Sequence, residues 1–223
     1  MGKFTELTAA DGHKFAAYVS QPSGKPRGGV VVIPEIFGVN SHIQQVTDGF
    51  AADGYLAVSP AMFDRVQRDY DTGYSQPEIQ AGVAIMQKLD PKNSMMDVQA
   101  AIAEASKGGK VGIVGYCFGG TIAWMAAARA SGLACAVPYY GGGMHGLIND
   151  KPKVPVMCNF GETDHSPTLE QAKEIAAKHP EITAHFYAGA GHGFNCDQRG
   201  SWNAEAAKLA RSRTIEFFRK HLG

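Results

Sequence analysis

Cys117 stands in Val111-Gly112-Ile113-Val114-Gly115-Tyr116-Cys117-Phe118-Gly119-Gly120, where an apolar run breaks into a G-x-C-x-G-G turn and then an Ala-rich segment. A nucleophile lifted above a sheet needs this setting of strand, sharp turn and helix, with glycines where a Cβ would strike neighbouring backbone. A thiol there sits at a helix N-terminus, where the dipole favours a thiolate and free N–H groups can hold an oxyanion. The Phe118 N–H is the natural first donor. The chemistry would be acyl transfer through a covalent thioester. A cysteine taken alone is more often a small buried hydrophobe. Cys135, Cys158 and Cys196 lack the turn; the first two are expected in core strands, and Cys196, just past His192, beside the site.

An acid and a base are needed to serve such a thiol. After the apolar run from Val154 to Phe160 comes Gly161-Glu162-Thr163-Asp164-His165-Ser166-Pro167. An Asp in a turn beyond a strand end can reach the top of a sheet and orient a base, which selects Asp164, with Glu162 as its competitor. Gly189-Ala190-Gly191-His192-Gly193-Phe194 follows. A His between glycines on a late loop before the last helix suits the general base, so His192 takes that role. The order of nucleophile, acid and base is that of the α/β-hydrolases. His13, His42, His145, His165, His179, His185 and His221 have no comparable setting and are expected at the surface or in structural roles. A metal site is the rival use of Cys and His, but the cysteines form no C-x-x-C pair. No metal and no cofactor are expected.

The elements that must hold these groups are legible as short apolar runs between helical stretches. Val30-Val31-Val32-Ile33, Val111 to Val114, Ala134 to Val137 and Val154 to Met157 are apolar almost throughout, as in parallel strands covered on both faces. Lys14 to Val19 is looser and reads as an outer antiparallel strand. Met95, Val98, Ile102 and Ala105 recur at helical spacing with Asn93 or Ser94 as cap. Thr121 to Ala130 reads as an inner helix. A closing helix buries Ala206, Leu209, Ala210 and Phe217 and carries Arg219, Lys220 and His221 in its last turn, which suits its dipole. Asp64 to Pro77 reads as a loop excursion. Alternating strands and helices predict an α/β fold with a largely parallel sheet and helices on both faces.

With 223 residues, the chain fits a single domain spanning 1–223. Lys+Arg and Asp+Glu are both 21, so the net charge is zero and no bulk field draws the chain to nucleic acid or anionic lipid. The longest apolar runs are strand-sized, too short for a membrane span. Met1-Gly2-Lys3-Phe4-Thr5-Glu6 does not read as a signal peptide. A cytoplasmic monomer with reduced thiols is the expectation.

These residues together resemble the dienelactone hydrolase family, the carboxymethylenebutenolidases. The likeness runs nearly end to end, to Arg213-Thr214-Ile215-Glu216-Phe217-Phe218, and is carried by Pro34-Glu35-Ile36-Phe37-Gly38, the Gly115–Gly120 turn, Gly161 to His165 and Gly189 to Phe194. It implies an α/β-hydrolase fold, catalytic roles for Cys117, Asp164 and His192, and a Glu35 that lies beside the thiol and helps activate it when substrate arrives. The bland alternative for Glu35 is a solvated loop carboxylate. The second oxyanion N–H would come from Phe37 or Ile36. Phe37 and Tyr139 would line the pocket.

One departure concerns the arginines. Family members place an Arg shortly after the catalytic His to bind a substrate carboxylate, whereas Gly193-Phe194-Asn195-Cys196 follows His192 and the next Arg is Arg199. Arg65 and Arg68 are candidates for a second carboxylate-binding Arg. The expected substrate is a small lactone or ester; a dienelactone opening to maleylacetate releases an enolate that a thiolate can expel. The alternatives are a broader thiol esterase or thioesterase on the same scaffold and a non-catalytic hydrolase-fold binding protein.

Overall fold

In a computed structural model describing residues 1–223, the chain opens with an antiparallel pair, β1 (Lys3–Thr8) and β2 (Lys14–Ser20). Next come β3 (Gly29–Ile33), α1 (Ser41–Ala52), β4 (Leu56–Pro60), α2 (Gln76–Met86) and α3 (Pro91–Ala105). The nucleophile candidate lies between β5 (Val111–Tyr116) and α4 (Phe118–Arg129). The remainder is β6 (Leu133–Tyr139), β7 (Met157–Gly161), α5 (Leu169–Lys178), β8 (Thr183–Tyr187) and α6 (Ala204–Leu222).

The strands form one sheet in the order β1-β2-β4-β3-β5-β6-β7-β8. β2 runs antiparallel to β4, and every later pairing is parallel. Successive side chains on a strand point to opposite faces. Val31 and Ile33 therefore join the core under α3 and α4, while Val30 and Val32 join the one under α1 and α6. Both faces are covered, which is why the central runs carry no polar alternation. No helix is long and apolar enough to cross a membrane.

Four local expectations change. β7 begins at Met157 rather than Val154, because Pro155 has no N–H to give a ladder; Val156 makes only an isolated bridge with Ala136. The cap of α3 is Asp90, whose side chain accepts from the Lys92 N–H at 2.7 Å, with Pro91 at the first helical position. On α6 the buried stripe steps by four through Ala206, Ala210, Thr214, Phe218 and Leu222, which turns Leu209 outward, 47% exposed. β2 is antiparallel but not outermost, since β1 covers its edge with exposed polar residues such as Lys3 and Glu6.

Candidate active site

Cys117 occupies the turn between β5 and α4 with φ 56° and ψ −115°, a backbone region that favours glycine. Its neighbours explain how the turn closes. A Cβ on Gly115 would lie 1.9 Å from the Gly119 carbonyl oxygen, and one on Gly119 would lie 2.3 Å from that of Ile33. The Cys117 N–H donates to the Tyr139 carbonyl at 3.1 Å, tying the turn to β6. Phe118 opens α4, so its N–H has no carbonyl behind it in the helix. The Cys117 side chain is half-buried at the wall of a cavity. Cys135, Cys158 and Cys196 are buried. Burial pushes their thiols up, to about 12 for Cys135 and about 11 for Cys196.

Asp164 and His192 arrive on the loops after β7 and β8. Those loops are laced together by Glu162 N–H to Tyr187 O and Thr163 N–H to Ala190 O, both at 3.0 Å. The His192 Nδ1 faces both Asp164 oxygens at 3.2 and 3.1 Å, and the Ser166 N–H donates to Asp164 Oδ1 at 2.8 Å. The Asp164 side chain is only 1% exposed, while Glu162 points to solvent with no bond to the imidazole. Of the two carboxylates, Asp164 is the one that contacts the imidazole. Burial alone would depress His192, but the Cys117 sulfur and the Asp164 carboxylate outweigh it and hold the ring up at about 10.

That shift has a measurable consequence for stability. The folded value lies above the unfolded one of about 6.5, so the protonated ring stabilises the fold fully below that pH. The contribution drains away as pH climbs to about 10. Melting of wild type and His192→Gln across pH 6 to pH 10.5 should therefore converge at the alkaline end, with the wild type losing more. Parallel curves would contradict the environment assigned to His192.

Glu35 is not a solvated loop residue: it is 2% exposed and its Oε1 accepts from Arg199 Nη1 at 2.9 Å. The guanidinium passes over the rings of Phe37 and Tyr74, 5.5 and 5.9 Å from their centroids. Its approach requires glycine at 193, where φ is +76° and a Cβ would lie 2.5 Å from Arg199 Nη1. Arg199 is thus brought to the site not by the position just after His192 but by a loop that doubles back.

The cavity measures about 720 Å³ and is walled by Cys117, His192, Arg199, Ile36 and Phe37 together with faces of α2 and α4. Several sequence expectations fall outside it. Tyr139 is fully buried beneath, its hydroxyl 2.6 Å from Thr214 Oγ1. Arg65 is held by Asp97 and Asp11 at 2.7 and 2.8 Å, and Arg68 donates to the Lys14 carbonyl; neither reaches the cavity. Cys196 lies buried and off the lining. His165, expected at the surface or in a structural role, is exposed and also lines the cavity, its ring 5.7 Å from that of His192. The wall formed by α2 is a feature the sequence reading missed. Its signal was Ser75-Gln76-Pro77-Glu78, a capping box in which the Glu78 carboxylate accepts the Ser75 N–H at 2.8 Å.

The grouping with metal-ligand chemistry is His42, Cys196 and Asp197, with donor atoms within 4.8 Å of one another. Asp197 is already bonded to His42 Nδ1 at 2.9 Å, and none of the three lines the cavity.

Comparison with known proteins gives one consistent answer. The family model of the dienelactone hydrolase family matches residues 15–222. A carboxymethylenebutenolidase of Pseudomonas putida is 34% identical over 222 residues, covering 95% of this chain and 93% of its own. Carboxymethylenebutenolidase 1 of Cupriavidus pinatubonensis is 30% identical, covering 95% and 94%. Among solved structures, a Klebsiella pneumoniae protein provisionally described as a dienelactone hydrolase superposes with TM-score 0.86 at 26% identity, covering 99% of both chains.

Proposed function

The chain belongs to the dienelactone hydrolase family, hydrolases that act on esters and lactones, and from that premise we propose that Cys117 is its nucleophile, with His192 as base and Asp164 as orienter. The observation that carries this reading is the convergence of three loops on one cavity. A thiol at a strained turn opening α4 meets an imidazole that is itself held by a buried carboxylate. The fold that brings them together is an α/β-hydrolase fold.

In the forward step the Cys117 sulfur, its proton taken up by His192, bonds to the ester or lactone carbonyl carbon, and the carbonyl π pair moves onto oxygen. The Phe118 N–H and an N–H of Ile36 or Phe37 are placed to receive that oxyanion. Collapse expels the alcohol or enolate, which takes its proton from His192, and leaves a thioester on Cys117. His192 then removes a proton from water as the hydroxide adds to the thioester; the acid departs and the sulfur leaves with the proton. Asp164 keeps the imidazole oriented through both steps. A substrate carboxylate landing on Arg199 would compete with Glu35 for the guanidinium and release the Glu35 carboxylate. The partner is a small ester or lactone.

The role of Glu35 is open to a direct test. Glu35→Gln removes a buried negative charge and leaves the Arg199 cation, which shares the cavity lining with Cys117, without its counter-charge, and both changes favour a thiolate. Alkylation of Cys117 by iodoacetamide near neutral pH, followed by mass spectrometry, should accelerate by up to about tenfold while turnover falls. Equal alkylation rates with unchanged turnover would reduce Glu35 to a mere support of Arg199.

A further inference from the structure

The cavity is larger than a small lactone needs, and its spare volume has a defined shape. Ile79, Val83 and Met86 fall at i, i+4 and i+7 on α2, and Phe118, Ile122 and Met125 fall at the same spacing on α4. Each set is one helix face. The two apolar faces wall a single slot, which begins at Cys117 on the α4 side. Seven residues of helix span about 10 Å, room for a chain of roughly eight carbons. Leu89, from the connection between α2 and α3, and Pro91, the first residue of α3, add to the apolar wall.

Charge argues in the same direction. Arg199 is the sole Arg or Lys on the lining, and its Nη1 is already spent on Glu35. A substrate with two carboxylates would find no second cation, because Arg65 and Arg68 are engaged elsewhere.

The sheet order assigns the slot to one half of the ester. His192 and Asp164 stand on the loops after β8 and β7, on one side of β5. The Ile36–Phe37 loop follows β3, on the other side, and α2 seats Gly82 against it, where a Cβ would lie 2.4 Å from the Ile36 carbonyl oxygen. The leaving group must face His192 to be protonated, so the acyl group faces away from it, toward α2 and α4.

We propose that the slot between α2 and α4 binds the acyl chain of the substrate, an unbranched apolar chain of about six to eight carbons whose length is set by the helix-long wall. The inference rests on Cys117 being the nucleophile. The test is a series of p-nitrophenyl esters from acetate to dodecanoate, paired with acetate esters of linear alcohols of matching length. Along the acyl series kcat/KM should rise about fourfold per methylene, as expected for burial of each CH₂, and should level off near octanoate. Val83→Trp and Met86→Trp, both at half-buried positions on α2, should each cut the octanoate-to-acetate ratio at least tenfold; using two variants, each checked by its melting temperature, guards against a misfolded one. A flat or falling acyl series, a gain confined to the alcohol series, or ratios untouched by both tryptophans would overturn the proposal. Intact-mass detection of an acyl adduct on Cys117 separates the two levels. An adduct with no chain-length preference leaves the nucleophile standing and removes the acyl slot, whereas hydrolysis that proceeds without Cys117 removes both.

Discussion

Cys117→Ala should lower kcat by about three orders of magnitude or more, in the range seen when a member of a catalytic triad is removed. The steady-state rate on a reactive aryl ester checks it, and a loss within about tenfold would remove Cys117 from the nucleophile role. Cys117→Gly should be just as inactive but more stable than the alanine variant. The turn holds a non-glycine residue at φ 56°, a strain of about 1–3 kcal/mol. Glycine relieves it at an entropic cost of about 0.5–1 kcal/mol in the unfolded chain. The difference, about 1 kcal/mol in favour of glycine, corresponds to roughly 2–4 °C in Tm for a domain of this size. A side chain that lowers stability while serving only chemistry is the signature of a site under functional strain. Equal melting of the two variants would mean that the surrounding backbone has relaxed the turn.

His192→Ala should cost about 10⁴-fold or more in kcat, and Asp164→Asn about one or two orders less. The first removes the proton acceptor; the second leaves it in place but loosens a ring now held by both carboxylate oxygens near 3.1 Å. The double variant should be no worse than His192→Ala alone, because an orienter has nothing to orient once the base is gone. Multiplicative losses would mean that Asp164 acts on something other than His192. The Ser166 N–H is the other group it holds.

The parts of this architecture that could be read in advance are those where one residue type satisfies one steric demand. Gly115 and Gly119 sit where backbone passes within contact distance, and no other residue fits there. That made the turn around Cys117 legible from sequence alone. The β-branched runs of β3 and β5 are legible for the same reason: burial on both faces leaves no place for polarity. What could not be read depends on where a loop returns in space. Arg199 reaches Glu35 across 164 positions of sequence, and nothing local to either residue announces the other. The place at the pocket that the family resemblance implies for Tyr139 fails because nothing in the sequence says which face of the strand end it takes, and its hydroxyl goes down to Thr214. The wall on α2 was overlooked because a polar, Tyr-containing approach hid a helix start in which Glu78 and Pro77 were the informative residues.

The uneven burial of the four thiols decides how the protein responds to oxidants. Cys117 alone meets the cavity, beside an imidazole and a guanidinium, whereas Cys135, Cys158 and Cys196 are sealed and held as thiols. Peroxide will therefore reach one sulfur first. The sulfenic acid formed there has no second cysteine on the lining to trap it as a disulfide, so continued exposure carries it to the irreversible sulfinic acid. The same isolation that keeps the thiol free for ester chemistry leaves it without a route of repair inside its own chain.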